Sequence, residues 1–284
     1  MEFCNICPNN CGVQRNIGVG ACNSTDKVKI AKYYAHAFEE PVISGVNGSG
    51  TVFFCGCSLK CVLCQNYEVS RNLRGKEITD KELADIFFEL EKSGVHNINL
   101  VNPTHYAKQI ISALKIYKPN IPIVYNTHGY EKLSTLEQID EYIDIYLPDL
   151  KYFNQSVSKR YTGKNDYFEV AIKAINFMAN KPLIMEGDML KSGTVVRHLI
   201  LPQNAFDSVE IVKALSPIKE KIYCSLMSQY TPFGDIENFP ELKRRITARE
   251  YNRVLDTALN EGFTKMFVQD KLSATEEYIP SWDF

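Results

Sequence analysis

The sequence predicts an α/β fold in which a parallel sheet curls into an open, partial (β/α)6 barrel behind a small Cys-rich N-terminal extension. From residue 51 onward, apolar runs of strand length alternate with amphipathic runs of helix length, which is typical of a parallel sheet covered by helices. Each apolar run ends in polar residues, and eight of the nine cysteines lie in the first 64 residues. We therefore divide the chain into an extension with a linker, residues 1–50, and a barrel, residues 51–284.

Length and composition limit the class of protein. A chain of 284 residues fits one barrel with an appendage. The 32 basic residues nearly balance the 34 acidic ones, so no electrostatic binding of long nucleic acid is expected. No signal peptide or membrane-spanning apolar run is present, and no membrane partner is expected. Cysteines clustered at one end are typical of metal ligands, which predicts a reducing cytoplasm.

Strands and helices are predicted in chain order. The first strand covers residues 51–56, and the first helix follows Thr79 because Thr79 and Glu82 have the spacing of a capping box. Further strands are predicted at residues 97–101, 121–125, 144–147, 195–201, 222–227 and 266–269. Further helices are predicted up to residue 117 and over residues 136–142, 167–180, 208–215 and 247–262.

Residues 33–50 are predicted to form an irregular bridge. His36, Glu39 and Glu40 in it could form a metal-ligand set, but they are interpreted as side chains that satisfy backbone groups. The tail at residues 279–284 contains the single Trp282 and is predicted to cover an edge of the barrel.

The loop after the first strand contains Cys57, Cys61 and Cys64 in the pattern C-x3-C-x2-C. A closed 4Fe–4S cluster takes four Cys ligands. Three thiolates therefore leave one iron open to a small chelating molecule, much as a catalytic zinc keeps a position for water. The alternative is a non-catalytic zinc-thiolate module, for which Cys55 and Cys224 would be the further thiols. A brown chromophore that is lost in air would distinguish a cluster from zinc.

A second set of thiols, at the start of the chain, comprises Cys4, Cys7, Cys11 and Cys22. The segment around them has too few apolar residues for a core, so a bound metal must supply its order. Tetrahedral zinc and an auxiliary iron–sulfur cluster both suit four thiolates, and the spacing does not decide between them. Free surface cysteines are the third alternative.

Polar residues follow the predicted strands. Because chemistry in such barrels collects at the carboxyl ends of the strands, we expect these tips to surround one mouth. They include Asn102, Thr104, His105, Asn126, Thr127, His128, Asp149, Lys151, Arg197, His198, Gln229 and Tyr230.

The cysteine loop behind an apolar strand resembles the signature of the radical SAM family. From residue 51 onward the chain is similar to the branch related to pyruvate formate-lyase activating enzymes, on three motifs: Asn-Thr-His-Gly-Tyr at residues 126–130, Asp-Leu-Lys at residues 149–151, and Arg197 with Pro202. The resemblance implies that the fourth iron binds S-adenosylmethionine (SAM). It further implies that one electron, from a donor such as flavodoxin or ferredoxin, cleaves SAM into methionine and a 5′-deoxyadenosyl radical that removes a hydrogen atom from the substrate.

The resemblance also implies roles for single residues. Lys151 and Arg197 would lie near the methionine carboxylate, with Asp149 beside them. Asn126 and Thr127 would face the ribose, and Leu63 would contact the adenine. The acidic motif that holds the methionine amino group in the family is replaced here by residues 102–105, so the candidates for that group are Asn99, Asn102 and Thr104.

The candidate substrate residues are polar or aromatic side chains at the expected mouth: Glu186, Gln229, Tyr230, His105 and Tyr106. Such a rim suits a planar base that bears an amine. The chain is similar to radical SAM queuine lyases, which release queuine from queuosine 5′-phosphate, and this nucleotide-like substrate is our expectation. The alternative is activation of a glycyl-radical enzyme, although the arginine that activators carry before the cysteine loop is absent from residues 47–52.

Overall fold

A computed structural model describes residues 3–268. The predicted tail with Trp282 and residue 269 of the predicted closing strand lie outside the described residues. In chain order the strands are β1 (Val28–His36), β2 (Ser49–Phe54), β3 (Lys76–Ile78), β4 (Ile98–Val101), β5 (Ile123–Thr127), β6 (Ile145–Pro148), β7 (Ile184–Glu186), β8 (Met189–Leu199), β9 (Tyr223–Met227) and β10 (Met266–Val268).

Nine α-helices are described between residues 3 and 268, and the longer ones cover the outer face of the sheet. They are α1 (Pro41–Ser44), α2 (Tyr67–Ser70), α3 (Asp80–Lys92), α4 (Ala107–Ile116), α5 (Leu133–Ile139), α6 (Gln155–Thr162), α7 (Tyr167–Met178), α8 (Ala205–Leu215) and α9 (Ala248–Asn260). None of the helices between residues 3 and 268 has the length and apolar character needed to cross a membrane.

The strands form one sheet in the order β10-β9-β8-β6-β5-β4-β2-β1-β3, with β7 paired to β8. Neighbours from β2 to β10 along this order are parallel, while β1, β3 and β7 pair in the antiparallel sense. The predicted α/β fold with a partial barrel is confirmed. Because the parallel strands share one direction, their carboxyl ends meet at one edge.

The prediction of an irregular bridge over residues 33–50 is wrong in three parts: β1 extends to His36, Pro41–Ser44 form α1, and β2 begins at Ser49. Residues Tyr34 and His36 lie in β1 opposite Thr51 and Ser49 of β2. Directly opposite residues of an antiparallel pair share one face of the sheet, so these two side chains lie on the inner face of the barrel. Strand β1 precedes residue 50 but belongs to the same sheet as the barrel strands. The division of the chain into two domains at residue 50 therefore stays a prediction.

The helices pack on the outer face through one apolar stripe each. In α3 the predicted capping box is present: the Thr79 hydroxyl accepts from the Glu82 amide at 3.1 Å, and the Glu82 carboxylate accepts from the Thr79 amide at 2.8 Å. The stripe buries Leu83 and Phe87 completely, and burial of such a side chain contributes about 1.5–3 kcal/mol.

The amino ends of the strands are closed from inside. Val42 and Ile43 of α1 pack against Val124, Ile145 and Val195, which are buried residues of the parallel strands. This apolar layer closes the lower end of the lumen, so access is from the side of the carboxyl ends.

Candidate active site

A cavity of about 250 Å³ lies inside the barrel. Its walls come from the ends of the parallel strands, from the cysteine loop and from the segment after β1. The lining includes His36, Phe38, Glu39, Phe53, Cys57, Cys61, Leu63, Cys64, Asn102, Asn126, Thr127, His128, Asp149, Lys151, Arg197, Leu199, Met227 and Gln229. The expected convergence of polar strand ends is therefore present for most of them, whereas Thr104, His105, His198 and Tyr230 do not line the cavity. The ring of His198 is buried, with Nδ1 2.7 Å from the Leu150 carbonyl oxygen and Nε2 2.8 Å from the Ser208 hydroxyl.

The three thiols of the cysteine loop open into this cavity. Cys57 and Cys61 are only 9% exposed, and Cys64 is half-buried. Burial raises the pKa of Cys57 to about 11 and that of Cys61 to about 12, while Lys151 lowers both. Thiolates at these positions need a cation beside them. Iron ions bound to all three sulfurs meet that need.

The arrangement suits a cluster better than a single ion. Among residues 3–268, no three His, Cys, Asp or Glu side chains surround one point closely enough to hold a metal ion. In a 4Fe–4S cluster each iron has its own thiolate, so its ligand sulfurs do not converge on one point. Three thiols on one short loop fit the group and leave one iron for another ligand.

Two contacts hold the cysteine loop against the rest of the molecule. Ser58, next to Cys57, has its hydroxyl 2.8 Å from Nε2 of His128 at the end of β5. Gly56 has a φ of +88°, and a Cβ there would lie 2.2 Å from the Ser24 hydroxyl, so no other residue fits. The N-terminal extension therefore packs directly on the loop.

Arg197 of β8 joins four parts of the lumen. Its Nε donates to Asp149 at 2.9 Å, its Nη1 to Glu39 at 2.9 Å and its Nη2 to Asn126 at 2.7 Å. Glu40 lies 4.0 Å from the same guanidinium. With three N–H groups engaged by protein acceptors, Arg197 holds two carboxylates and an amide in place.

Asp149 and Lys151, after β6, form an ion pair with Nζ 2.6 Å from Oδ2. Burial raises the pKa of Asp149, but Arg197 and Lys151 lower it more, and the result lies below the ordinary value. The Tyr167 hydroxyl accepts from the Lys151 amide at 2.9 Å and lies 2.9 Å from the carbonyl oxygens of both His128 and Asp149. Helix α7 thus fixes the ends of β5 and β6.

A buried carboxylate, Glu131, supports the same edge from outside the cavity. It accepts hydrogen bonds from the hydroxyls of Thr104 (2.5 Å), Thr127 and Tyr125 (3.4 Å). Burial raises its pKa to about 7, against the opposing effect of these hydrogen bonds. Sequence analysis missed this residue, because nothing in the local pattern separates it from an exposed helix-flanking acid.

The structure brings most of the predicted SAM residues together. Leu63, Asn102, Asn126, Thr127, Asp149, Lys151 and Arg197 all line the cavity. Two of the candidates do not: Thr104 is committed to Glu131, and Asn99 is fully buried and donates to Glu39 at 2.9 Å. Of the three candidates for the methionine amino group, Asn102 alone lines the cavity.

The predicted substrate residues are mostly elsewhere. Gln229 lines the cavity. Glu186 is exposed on the β7 hairpin and pairs with Lys191 at 3.1 Å, because β7 folds back on β8 away from the lumen. Tyr230 is buried, and its hydroxyl donates to the Leu242 carbonyl at 2.8 Å.

His105 and Tyr106 also lie outside the cavity, since the chain turns into α4 there and buries both rings. Nε2 of His105 lies 2.7 Å from the Cys55 carbonyl oxygen, and burial lowers the pKa of this imidazole to about 3. It is a neutral donor that supports the strand before the cysteine loop.

Residues before β2 instead supply part of the lumen wall, which the sequence did not predict. His36, Phe38 and Glu39 line the cavity. The available signal was the alternation of residues in β1, followed by two adjacent acids in a largely apolar stretch.

The N-terminal thiols lie near each other. A Cβ on Gly20 would be 3.4 Å from the sulfurs of both Cys11 and Cys22, and the Cys4 thiol shares a hydrogen bond with Cys11. Cys7 accepts a hydrogen bond from the Asn9 amide at 3.4 Å. The described thiols would have to move to surround one ion, so the metal at this site stays a prediction.

The fold and the three-thiol loop together define a class of barrel protein that holds a cluster at the carboxyl ends of its strands. Residues 51–215 match the Radical SAM superfamily. The chain belongs to this superfamily, whose cofactors are a 4Fe–4S cluster and SAM.

Three similar proteins each share less than 30% sequence identity with this chain. The uncharacterized protein MJ0674 of Methanocaldococcus jannaschii is 28% identical over 90% of this chain and 74% of its own length. The pyruvate formate-lyase-activating enzyme of Clostridium pasteurianum is 29% identical over 62% of this chain and 73% of its own length. Streptococcus suis SuiB bound to S-adenosylmethionine superposes with a TM-score of 0.51 at 16% identity, over 78% of this chain and 50% of SuiB. The present chain therefore spans half the length of SuiB, and that likeness concerns the fold alone.

Proposed function

We propose that Cys57, Cys61 and Cys64 hold a 4Fe–4S cluster, that the adjacent strand ends bind SAM, and that the lumen beneath receives a small polar substrate. The observation that supports this proposal is a single cavity lined by the three thiols at one side and by polar strand ends at the other. When bound, the cluster would pass one electron to SAM and yield methionine and a 5′-deoxyadenosyl radical.

The residues of the chain would position SAM. Lys151, held by Asp149 at 2.6 Å, supplies a cation for the methionine carboxylate. Asn126 and Thr127 offer an amide and a hydroxyl to the ribose, and Leu63 lies beside the adenine. Asn102 is the candidate for the amino group, while Arg197 orients Asp149 and Asn126 through its own hydrogen bonds.

The lower end of the lumen is closed to water. The apolar layer of α1 and the strands lies there, and exclusion of water from that side protects a reactive intermediate. The electron donor is proposed to be a flavodoxin or ferredoxin, and a cluster of this kind requires the reducing cytoplasm.

For the reaction we propose release of queuine from queuosine 5′-phosphate, which makes the protein a lyase in queuosine salvage, suited to an anaerobic setting. The support is a lumen with an aromatic side, formed by His36, Phe38 and Phe53, and a polar side. A planar base stacks on aromatic rings and is read through its polar edge.

A second candidate is activation of a glycyl-radical enzyme. The observation that favours it is the relative from Clostridium pasteurianum, which carries that activity in its name. A partner protein would have to insert a loop into the lumen, whereas the lyase reaction needs only the small molecule.

The test is anaerobic incubation of the reconstituted protein with SAM, a strong reductant and queuosine 5′-phosphate, followed by mass spectrometry for 5′-deoxyadenosine and queuine. We expect both products, and neither after Cys61→Ala. Cys224→Ala is the matched control, since Cys224 is a buried thiol that does not line the cavity. If 5′-deoxyadenosine forms without queuine, the lyase proposal is wrong and activation is assayed next. A colourless protein that holds only zinc would exclude both.

A further inference from the structure

Glu39 reaches the lumen from the segment between β1 and α1, which precedes the residues matched to the family. Its side chain is 9% exposed and lines the cavity. It accepts hydrogen bonds from Asn99 at 2.9 Å, from Asn126 at 3.2 Å and from Arg197 at 2.9 Å. Three donors from three strands hold this carboxylate in one position.

The carboxylate keeps capacity for a ligand. A carboxylate offers about four acceptor positions, and protein donors from the described residues take two on Oε1 and one on Oε2. Among residues 3–268, Arg197 is the one donor to Asn126 Oδ1, which is also at the cavity. A carboxylate can only accept hydrogen bonds, so the side-chain nitrogen of Asn126 faces Glu39 and its side-chain oxygen faces Arg197. The oxygen atoms of Glu39 and Asn126 that can still bind a ligand are therefore hydrogen-bond acceptors.

The charged groups around Glu39 also favour a ligand that donates hydrogen bonds. Arg197 is shared between Glu39 and Asp149, and Glu40 lies 4.0 Å from the same guanidinium. Within the described part of the chain, Oε2 of the buried Glu40 has no hydrogen-bond partner. Asp149 also pairs with Lys151 at 2.6 Å, so Glu39 and Glu40 are the carboxyl groups that depend on the Arg197 guanidinium. This floor next to Glu39 favours an N–H donor over an anionic ligand group.

An aromatic wall stands beside this floor. The rings of His36 and Phe38 pack edge to face at 5.6 Å, and Phe53 lies 6.4 Å from His36. Phe38 is 50% exposed although it lines the cavity, and an exposed aromatic ring at a site is a surface on which a planar ligand stacks. Burial lowers the pKa of His36, which keeps this wall uncharged.

We infer that Glu39 is a specificity residue of the substrate site, whose carboxylate accepts an N–H from the amino-bearing edge of a planar base stacked beside His36 and Phe38. This inference rests on the proposed function, since it names the part of the nucleotide that the lumen recognises. The phosphate of such a substrate would then lie toward the mouth.

The test compares the binding of 7-deazaguanine and 7-deazahypoxanthine, which differ by one exocyclic amine, to the reconstituted protein with SAM, by anaerobic calorimetry. We expect the wild type to bind the amino base at least about tenfold more tightly, because a site built for a donor leaves its acceptors unpaired with the other base. In Glu39→Gln we expect the preference to fall below about threefold, and in Glu39→Asp to return in part.

Glu237→Gln is the matched control, since Glu237 is exposed and pairs only with Lys243, and it should keep the full preference. SAM affinity should stay within about twofold of the wild type in every variant, which also shows that each is folded. Equal binding of the two bases by the wild type would overturn the inference. So would a Glu39→Gln protein that loses SAM binding but keeps its preference for the amino base. Base preference without queuine release in the activity assay would contradict the lyase reaction alone.

Discussion

The Ser58 hydroxyl lies 2.8 Å from Nε2 of His128, and this contact joins the cysteine loop to the end of β5. Nδ1 of His128 accepts from the Tyr130 amide at 3.1 Å, so the ring proton is on Nε2 and the Ser58 oxygen accepts it. Burial lowers the pKa of His128 to about 3. The imidazole is therefore neutral, and its position depends on two hydrogen bonds.

Ser58→Ala removes one of those hydrogen bonds and leaves the buried Nε2–H without a partner. We expect the free energy of unfolding to fall by about 1–3 kcal/mol and the brown colour of the reconstituted protein to be lost faster in air. Urea unfolding and absorbance measure the two effects. Ser156→Ala, at an exposed hydroxyl, should change stability by less than about 0.5 kcal/mol. If both variants behave alike, the hydrogen bond does not hold the loop.

Tyr167→Phe removes the hydroxyl that bridges the ends of β5 and β6. The buried Lys151 amide then loses its acceptor at 2.9 Å, and we expect a loss of about 1–3 kcal/mol in urea unfolding. The matched control is Tyr33→Phe, whose exposed hydroxyl donates to Glu89 at 2.9 Å and should contribute below about 1 kcal/mol. A Tyr167→Phe protein as stable as this control would show that the bridge is dispensable.

The buried Glu131 predicts a dependence of stability on pH. Burial raises its pKa from 4.5 to about 7 in the folded protein, so between these values the folded chain keeps a proton that the unfolded chain releases. Glu131 contributes on the order of 3 kcal/mol to the free energy of unfolding below pH 4.5, and this contribution is lost as pH rises to about 7. Above that pH the group has no further effect.

Glu131→Gln should remove this dependence. Relative to the wild type, the free energy of unfolding of the variant should rise between about pH 5 and pH 8, as measured by urea unfolding at each pH. Glu137→Gln, at an exposed position of α5, the helix that follows Glu131, should parallel the wild type. Parallel curves for Glu131→Gln as well would show that this carboxyl is ionised throughout the range.

The metal at Cys4, Cys7, Cys11 and Cys22 is testable without the cavity cluster. A variant with Cys57, Cys61 and Cys64 all changed to Ala isolates the N-terminal thiols, and we expect about one zinc per chain by elemental analysis. Adding Cys22→Ser should remove it and weaken the packing on the cysteine loop, since the Cys22 carbonyl accepts from the Cys57 amide at 3.2 Å. Iron with sulfide would identify an auxiliary cluster, and no metal would identify free thiols.

Local patterns were sufficient for much of the fold. The capping box at Thr79 and Glu82 correctly located the start of α3, because it is formed by residues three apart. The alternation of strands and helices implied a parallel sheet, and this predicts Asn126, Asp149 and Arg197 near one edge, because the carboxyl ends of parallel strands share one edge. The cysteine spacing likewise indicated a cluster with one open iron.

By itself, then, the sequence determined the barrel, the edge that carries the site and the three thiols. Only the tertiary structure decided which polar residues face the lumen. His105 follows a strand as Asn102 does, yet the turn into α4 buries it. Glu39 and Arg197 are 158 residues apart but lie within 2.9 Å of each other, because β1 pairs with β2 in the antiparallel sense and carries the next segment under the barrel. Such pairing depends on packing between distant parts of the chain, which local propensity does not determine.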